Sequence, residues 1–286
     1  MASLTLIVGI PYVCALWATG LRKAPRLKRA HLATVFPVAM AHCFAHLAAV
    51  VSLGAGAVGF VQIVKAAEPL FTAALSAALL GQVLAWPVYL TLLPVVAGVA
   101  VASLQELSFS ATALAAAMCS NTFAATRSVI GKRAMGRDKG ENMDAGNLYA
   151  VMTMMATCVL TPLALVLEGP KLRGLWAAAV AAGASPGRLW RDIALSGVFF
   201  YLYNEVAFYC LNAIHPLTHG IGNTIKRVVM IAVSVIAFHH RFTPLGVVGS
   251  ATAIGGVLLY SIVKGHYDEE ARKLAKRQAA AVLQKL

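Results

Sequence analysis

Nine apolar stretches follow one another along almost the whole chain, at residues 4–21, 31–53, 56–80, 83–104, 112–130, 147–167, 193–212, 216–238 and 244–264. Each approaches or exceeds the roughly 20 residues that a helix needs to cross a hydrocarbon core. Lipid offers no partner to backbone N–H and C=O groups, so such segments fold as helices that satisfy their own backbones. Of the 286 residues, 59% are apolar and only 12% charged. A soluble domain carries about twice that charge. The expected fold class is therefore all-α: one polytopic membrane domain over residues 1–266 with nine spans, then a charged helical tail at 267–286. No room remains for a soluble catalytic domain. Residues 169–191 alternate Leu172, Leu175, Trp176 and Trp190 with Lys171, Arg173, Arg188 and Arg191. A short interfacial helix with tryptophans at headgroup level is expected there.

Loop charge orients the chain. If the spans alternate, fifteen Lys/Arg lie on one side, in the 22–29 loop, the 132–139 loop and the C-terminal tail. Five lie on the other: Lys171, Arg173, Arg188, Arg191 and Arg241. This asymmetry follows the positive-inside rule and puts the C-terminus on the inner side. Most of the net charge of +13 sits in these loops and the tail. No soluble basic face with aromatics is offered to nucleic acid. The five cysteines lie in apolar segments without a Cys-x-x-Cys, and read as small buried residues. No metal-ligand spacing and no nucleophile–base pair is apparent, so neither a cofactor nor enzymatic chemistry is expected.

Four cations stand inside apolar segments: Lys65, Arg127 and the adjacent Lys226-Arg227. Only two acids, Glu68 and Glu205, accompany them there. A charge at the centre of a membrane helix costs at least about 3 kcal/mol. The positive surplus asks for an anion from outside the protein. Blander readings stay open at this stage. Lys65 could snorkel or pair with Glu68, and Lys226-Arg227 could pair with Glu205. Arg127 suits an interfacial anchor as well as a substrate gate, and Tyr201 suits an anchor better than Tyr203. The 22–29 run reads as an orienting loop and no more.

A faint internal repeat organises these residues. Lys65 is followed by a polar break at Gly81-Gln82 and a helix bearing Gly98; Lys226 is followed by a break at 239–241 and a helix bearing Gly256. The two cation helices are five spans apart in order, so the copies, at about residues 1–104 and 112–264, have opposite orientation. Inverted repeats around a midplane site are a common transporter construction. Depth agrees. His46 and Lys65 are equidistant from a Gly-rich turn at 54–59, each about 14 Å along its helix. Tyr203 and Lys226 are equidistant from a turn at 212–216, at about 17 Å. A phosphate monoester, with a charge of about −1.5 to −2, fits such a slab. Arg supplies a planar donor fork and Lys a point charge; His46 and Tyr203 can hydrogen-bond the other end of a small ligand. His42 lies one turn before His46, and only the depth match favours His46 over it.

The same residues resemble the plastid phosphate translocators of the drug/metabolite transporter superfamily. The resemblance is carried by His46 with the segment Lys65-Ala66-Ala67-Glu68-Pro69, by Ser120-Asn121 with Arg127-Ser128, by Asn147-Leu148-Tyr149-Ala150 and by Glu168-Gly169-Pro170. Its most specific part is Tyr201-Leu202-Tyr203-Asn204 with Pro216-Leu217-Thr218-His219 and Gly222 to Val228. It implies an antiporter that exchanges inorganic phosphate for a phosphorylated three-, five- or six-carbon metabolite across the plastid inner envelope. Triose phosphate or 3-phosphoglycerate is favoured; phosphoenolpyruvate, pentose and hexose phosphates remain open. A nucleotide-sugar carrier of the Golgi or endoplasmic reticulum, and an anion channel, are the alternatives. The resemblance further implies that Lys65, Lys226 and Arg227 bind phosphate, that His46 and Tyr203 hold the rest of the substrate, and that Arg127 lies near the cavity. Ala49 departs from it, where a hydroxyl residue is frequent, as do Phe123 to Thr126 before Arg127. Family members have ten spans and a transit peptide; this chain resembles them from the second span on.

Overall fold

The computed structural model describes residues 2–106, 109–135, 140–213, 216–239 and 243–283. The Asn212–Pro216 turn, the break at 239–241 and Arg241 lie wholly or partly outside the described residues. Everything regular among the described residues is helical: α1 (Ala2–Ile7), α2 (Gly9–Ala18), α3 (Arg29–Ala55), α4 (Val58–Lys65), α5 (Glu68–Leu80), α6 (Trp86–Leu90), α7 (Leu92–Leu104), α8 (Ala111–Met135), α9 (Ala145–Ala181), α10 (Pro186–Ala213), α11 (Pro216–Phe238) and α12 (Pro244–Leu283). An isolated bridge pairs Arg26 with Glu141. The protein is an all-α polytopic membrane protein.

Among the described residues, seven stretches are long and apolar enough to cross a membrane, so the count of nine is not confirmed. The first apolar run reaches only from Leu4 to Ala18, too short for a full crossing, and is interrupted between α1 and α2. Residues 112–130 do form a helix, α8, but Ser120, Asn121, Thr122, Thr126 and Arg127 dilute its apolar character. Two crossings are interrupted helices: α4 with α5, and α6 with α7. The first interruption is local chemistry. Pro69 lacks the N–H that would bond the Lys65 carbonyl. The chain tightens instead, with Ala67 N donating to Val64 O at 3.1 Å and Leu70 N to Ala67 O at 3.0 Å.

The expected interfacial helix at 169–191 is not separate. α9 runs on through Pro162 and Pro170 to Ala181, and α10 starts at Pro186. The Ala- and Leu-rich run 175–181 favours helix, so the spans extend past the apolar segment. Gly183, at φ +93°, makes the reversal, and the Trp176 and Trp190 rings meet across it at 5.3 Å.

By packing, the chain divides into two compact units, each built from two separate stretches of sequence: residues 1–50 with 126–213, and residues 51–125 with 214–286. In the first unit, α1 and α2 lie against α9 and α10. Leu6, Cys43, Ala156 and Leu160 form one buried cluster, and Val13, Tyr149, Ala150 and Tyr201 another. A Cβ at Gly9 would overlap the Tyr201 ring. Asn147 ties the loops: Trp17 Nε1 donates to its Oδ1 at 2.9 Å, and its Nδ2 donates to Lys23 O and Asn142 O at 2.8 and 2.7 Å.

In the second unit, α4 packs on α11 and α7 on α12. The Gly-containing helices α7 and α12 touch backbone to backbone. A Cβ at Gly98 would come within 2.6 Å of Gly249 O and 2.7 Å of Ala253 Cα. Phe60, Val61, Ile63, Val64, Val95 and Val99 fill the core around that contact. Leu93 and Val96 of α7 and Val233 and Ile236 of α11 are exposed, as lipid-facing side chains are.

Candidate functional site

In the second unit, Lys65 is the last residue of α4 and Glu68 the first of α5. The helix ends themselves favour this placement, because a C-terminus carries partial negative charge and an N-terminus partial positive charge. Opposite them, α11 presents Arg227, only 8% exposed, whose Nη2 donates to Glu68 Oε2 at 3.0 Å. Lys226 is adjacent on α11 and half-buried. Of the residues expected to bind phosphate, Lys65 ends α4 at the break, Arg227 reaches the break through Glu68, and Lys226 stands next to Arg227 on α11. Arg227 faces the interior of the unit, while Ile225, Val228 and Val229 are exposed.

Helix α8 supports this break. Lys65 Nζ donates to Ser120 Oγ at 2.7 Å. Asn121, fully buried, donates through Nδ2 to Val64 O at 3.0 Å. That carbonyl belongs to the last turn of α4, so Asn121 braces the point where the helix stops. The turn before α4 is shorter than expected: α3 continues to Ala55, leaving only Gly56 and Ala57 between the helices.

The first unit holds His46, Arg127 and Tyr203. His46 is buried, its Nε2 2.9 Å from Thr5 Oγ1 and its ring 4.4 Å from that of Phe200. Arg127 on α8 sends Nη1 to within 3.0 Å of His42 Nδ1. Tyr203 on α10 is 46% exposed. Tyr201, expected at the interface, is instead buried, packed against Tyr149 and Tyr12 at ring separations of 5.1 and 5.8 Å. Two residues apart on a helix are about 200° apart in angle, so only one of the pair can face the core.

Two pairings differ from the simplest sequence readings. Glu205, a sequence candidate for pairing with Lys226-Arg227, is found with Arg22. It is buried and binds Arg22 Nη2 at 2.6 Å, within its own unit. Arg22 therefore does more than orient a loop. Glu68 pairs with Arg227 across 159 residues of sequence, although Lys65 was the nearer candidate in the chain. Thr5, His42, Ser120 and Asn121 were not singled out by charge. His42 was marked only by standing one turn from His46, and Ser120-Asn121 only by the resemblance; no sequence signal marked Thr5.

Comparison with known proteins identifies relatives of this chain. The chain is 39% identical over 266 residues to the chloroplastic glucose-6-phosphate/phosphate translocator 2 of Arabidopsis thaliana, covering 92% of this chain and 67% of that protein. It is 39% identical over 268 residues to the chloroplastic triose phosphate/phosphate translocator of Zea mays, covering 94% and 64%. The Spinacia oleracea triose phosphate/phosphate translocator is likewise 39% identical, over 271 residues, covering 94% and 65%. The chain thus spans about two thirds of the length of the curated relatives it matches. A family model, the Triose-phosphate Transporter family, matches residues 1–261. With 261 of its 286 residues matched, the chain belongs to the Triose-phosphate Transporter family.

Proposed function

We propose that this chain is an antiporter of the plastid inner envelope that exchanges inorganic phosphate for a small phosphorylated metabolite, and not an enzyme. The observation that carries the reading is the charge at the α4/α5 break. Lys65, Lys226 and Arg227 supply three cations, and Glu68, bonded to Arg227, supplies one acid. The surplus of two matches a phosphate monoester near neutral pH. In this reading Lys65, Lys226 and Arg227 of the second unit take the phosphate. The resemblance assigns His46, Tyr203 and Arg127 to the remainder of the substrate. Relatives named for triose phosphate and for glucose 6-phosphate are equally similar, at 39%. Retention of His46, Tyr203 and Lys65 together favours triose phosphate or 3-phosphoglycerate.

The packing of α4 on α11 and of α7 on α12 supports two oppositely oriented repeats, one giving Lys65 and the other Lys226-Arg227. Exchange by alternating access follows from electrostatics. Excluding water from a cluster with more cations than acids costs several kcal/mol per ion. A bound phosphate neutralises them, so a loaded carrier closes readily and an empty one does not. The test is flux in vesicles containing the purified full chain. Labelled phosphate should enter phosphate-loaded vesicles far faster than phosphate-free ones; equal rates would refute antiport. Lys226→Ala and Arg227→Ala should each abolish exchange in folded protein; full activity in either would remove that residue from the site. Competition by a nucleoside monophosphate stronger than that by triose phosphate would favour a nucleotide-sugar carrier.

A further inference from the structure

His42 stands one turn before His46 on the same face of α3. It is only 3% exposed, and its Nδ1 lies 3.0 Å from Nη1 of Arg127. A guanidinium has five donors and no acceptor, so it must donate and Nδ1 must accept. The imidazole proton then sits on Nε2, which is buried and has no hydrogen-bond partner among the described residues. The Tyr149 ring stands edge-on to His42 at 5.8 Å, limiting rotation of the imidazole. The charged and titratable groups acting on His42 are Arg127 and His46. One acceptor at one fixed position therefore faces one edge of the Arg127 fork.

The geometry points to His42 as a positioning residue for Arg127, and through it as a determinant of which phosphorylated metabolite is accepted. The inference rests on the reading above, in which Arg127 serves the part of the substrate other than phosphate. An arginine side chain has about 2 kcal/mol of rotamer entropy to lose. Holding Nη1 against His42 removes much of that freedom before substrate arrives and leaves the remaining N–H groups of the fork for carboxylate or carbonyl oxygens. Inorganic phosphate has no such group, so its binding does not depend on His42.

Three variants of the full chain, reconstituted in phosphate-loaded vesicles, test this. His42→Asn keeps an acceptor near the position of Nδ1. His42→Leu removes it, and His42→Gln moves the amide to the position of Nε2, so it serves if His42→Leu fails to fold. The readout is KM for external 3-phosphoglycerate against KM for external inorganic phosphate. His42→Leu or His42→Gln should raise the first about tenfold, as loss of a charge-assisted hydrogen bond does, and leave the second within about twofold. His42→Asn should keep both near the parent values. Equal changes in both constants, no change in either, or failure of His42→Asn to restore the ratio would overturn the inference. Arg127→Ala separates it from the broader reading. If Arg127→Ala leaves 3-phosphoglycerate transport intact, the role of Arg127 itself is refuted. If it impairs that transport while the His42 variants do not, only the role of His42 is refuted.

Discussion

Replacing Glu68 by Gln should make the protein bind inorganic phosphate more tightly. Glu68 Oε2 and Arg227 Nη2 are 3.0 Å apart, with side-chain exposures of 29% and 10%. Charge centres about 4 Å apart attract by about 4 kcal/mol at an effective dielectric of about 20. Solvent reaches the carboxylate, and desolvation opposes the pairing, so a net of about 1–2 kcal/mol is the reasonable remainder. On the proposed reading an incoming phosphate competes with this carboxylate for Arg227. Glutamine keeps the shape and an acceptor oxygen but removes the competing charge. The Kd for phosphate should fall about 5- to 30-fold, since 1.4 kcal/mol is a factor of ten. Calorimetric titration of purified parent and variant, at matched salt, measures it directly. Turnover should fall as well, because release now lacks the carboxylate that retakes Arg227. A weaker or unchanged Kd in a variant of unchanged thermal midpoint would refute the reasoning. It would mean that Glu68 holds Arg227 in place rather than competing for it.

Three further outcomes follow from the packing and the site. Gly98→Ala should destabilise the protein by about 1–3 kcal/mol, because the atoms a Cβ would meet are backbone atoms of α12 that no rotamer change can move. Gly54→Ala, with nothing within 4 Å of its Cβ, should be neutral or stabilising; equal thermal midpoints for the two variants in detergent would contradict the close contact. Arg22→Met should cost about 3–5 kcal/mol by leaving Glu205 buried without its cation, and adding Glu205→Met should recover most of it; a double variant no more stable than the single one would count against the pair. His46→Ala should change the ranking of metabolites more than phosphate uptake, measured by a panel of trans-substrates against labelled phosphate; a uniform loss across the panel would contradict this.

What the sequence made legible depended on the range of the physics. Apolar run length marks a membrane helix residue by residue, and the all-α fold followed from it. Span count did not, because α8 reaches helical length with a polar middle, and composition averages that away. The break after Lys65 was visible in principle from Pro69, whose missing N–H is a local fact. The partners of the charges were not visible. Glu68 and Glu205 were both available to the same cations by sequence, and which cation each meets is set by helix packing over long separations. Arg227 reaches Glu68, and Glu205 is left to Arg22. Tyr201 and Tyr203 show the same limit at short range. Their types are identical and their helix is certain, yet which one faces the core depends on where α1, α2 and α9 lie against α10.

The break in the α4/α5 crossing explains why those pairings suit an exchanger. A continuous helix would have bonded its Lys65 and Glu68 backbones internally and set the two side chains on a uniform surface. Interruption adds a helix C-terminus beside the cation and an N-terminus beside the acid, so each charge is partly compensated by its own backbone. Arg227 can then leave Glu68 without stranding a bare carboxylate, since the N-terminus of α5 still faces it. Because the Glu68 side chain keeps 29% of its exposure, the pair is not sealed within the helix packing. Continuous helix through Lys65–Glu68 in a Pro69→Ala variant should therefore slow exchange while leaving Kd for phosphate nearly unchanged. A large loss of phosphate affinity in that variant, with Lys65 and Arg227 intact, would show that the break builds the binding site rather than easing the exchange of partners.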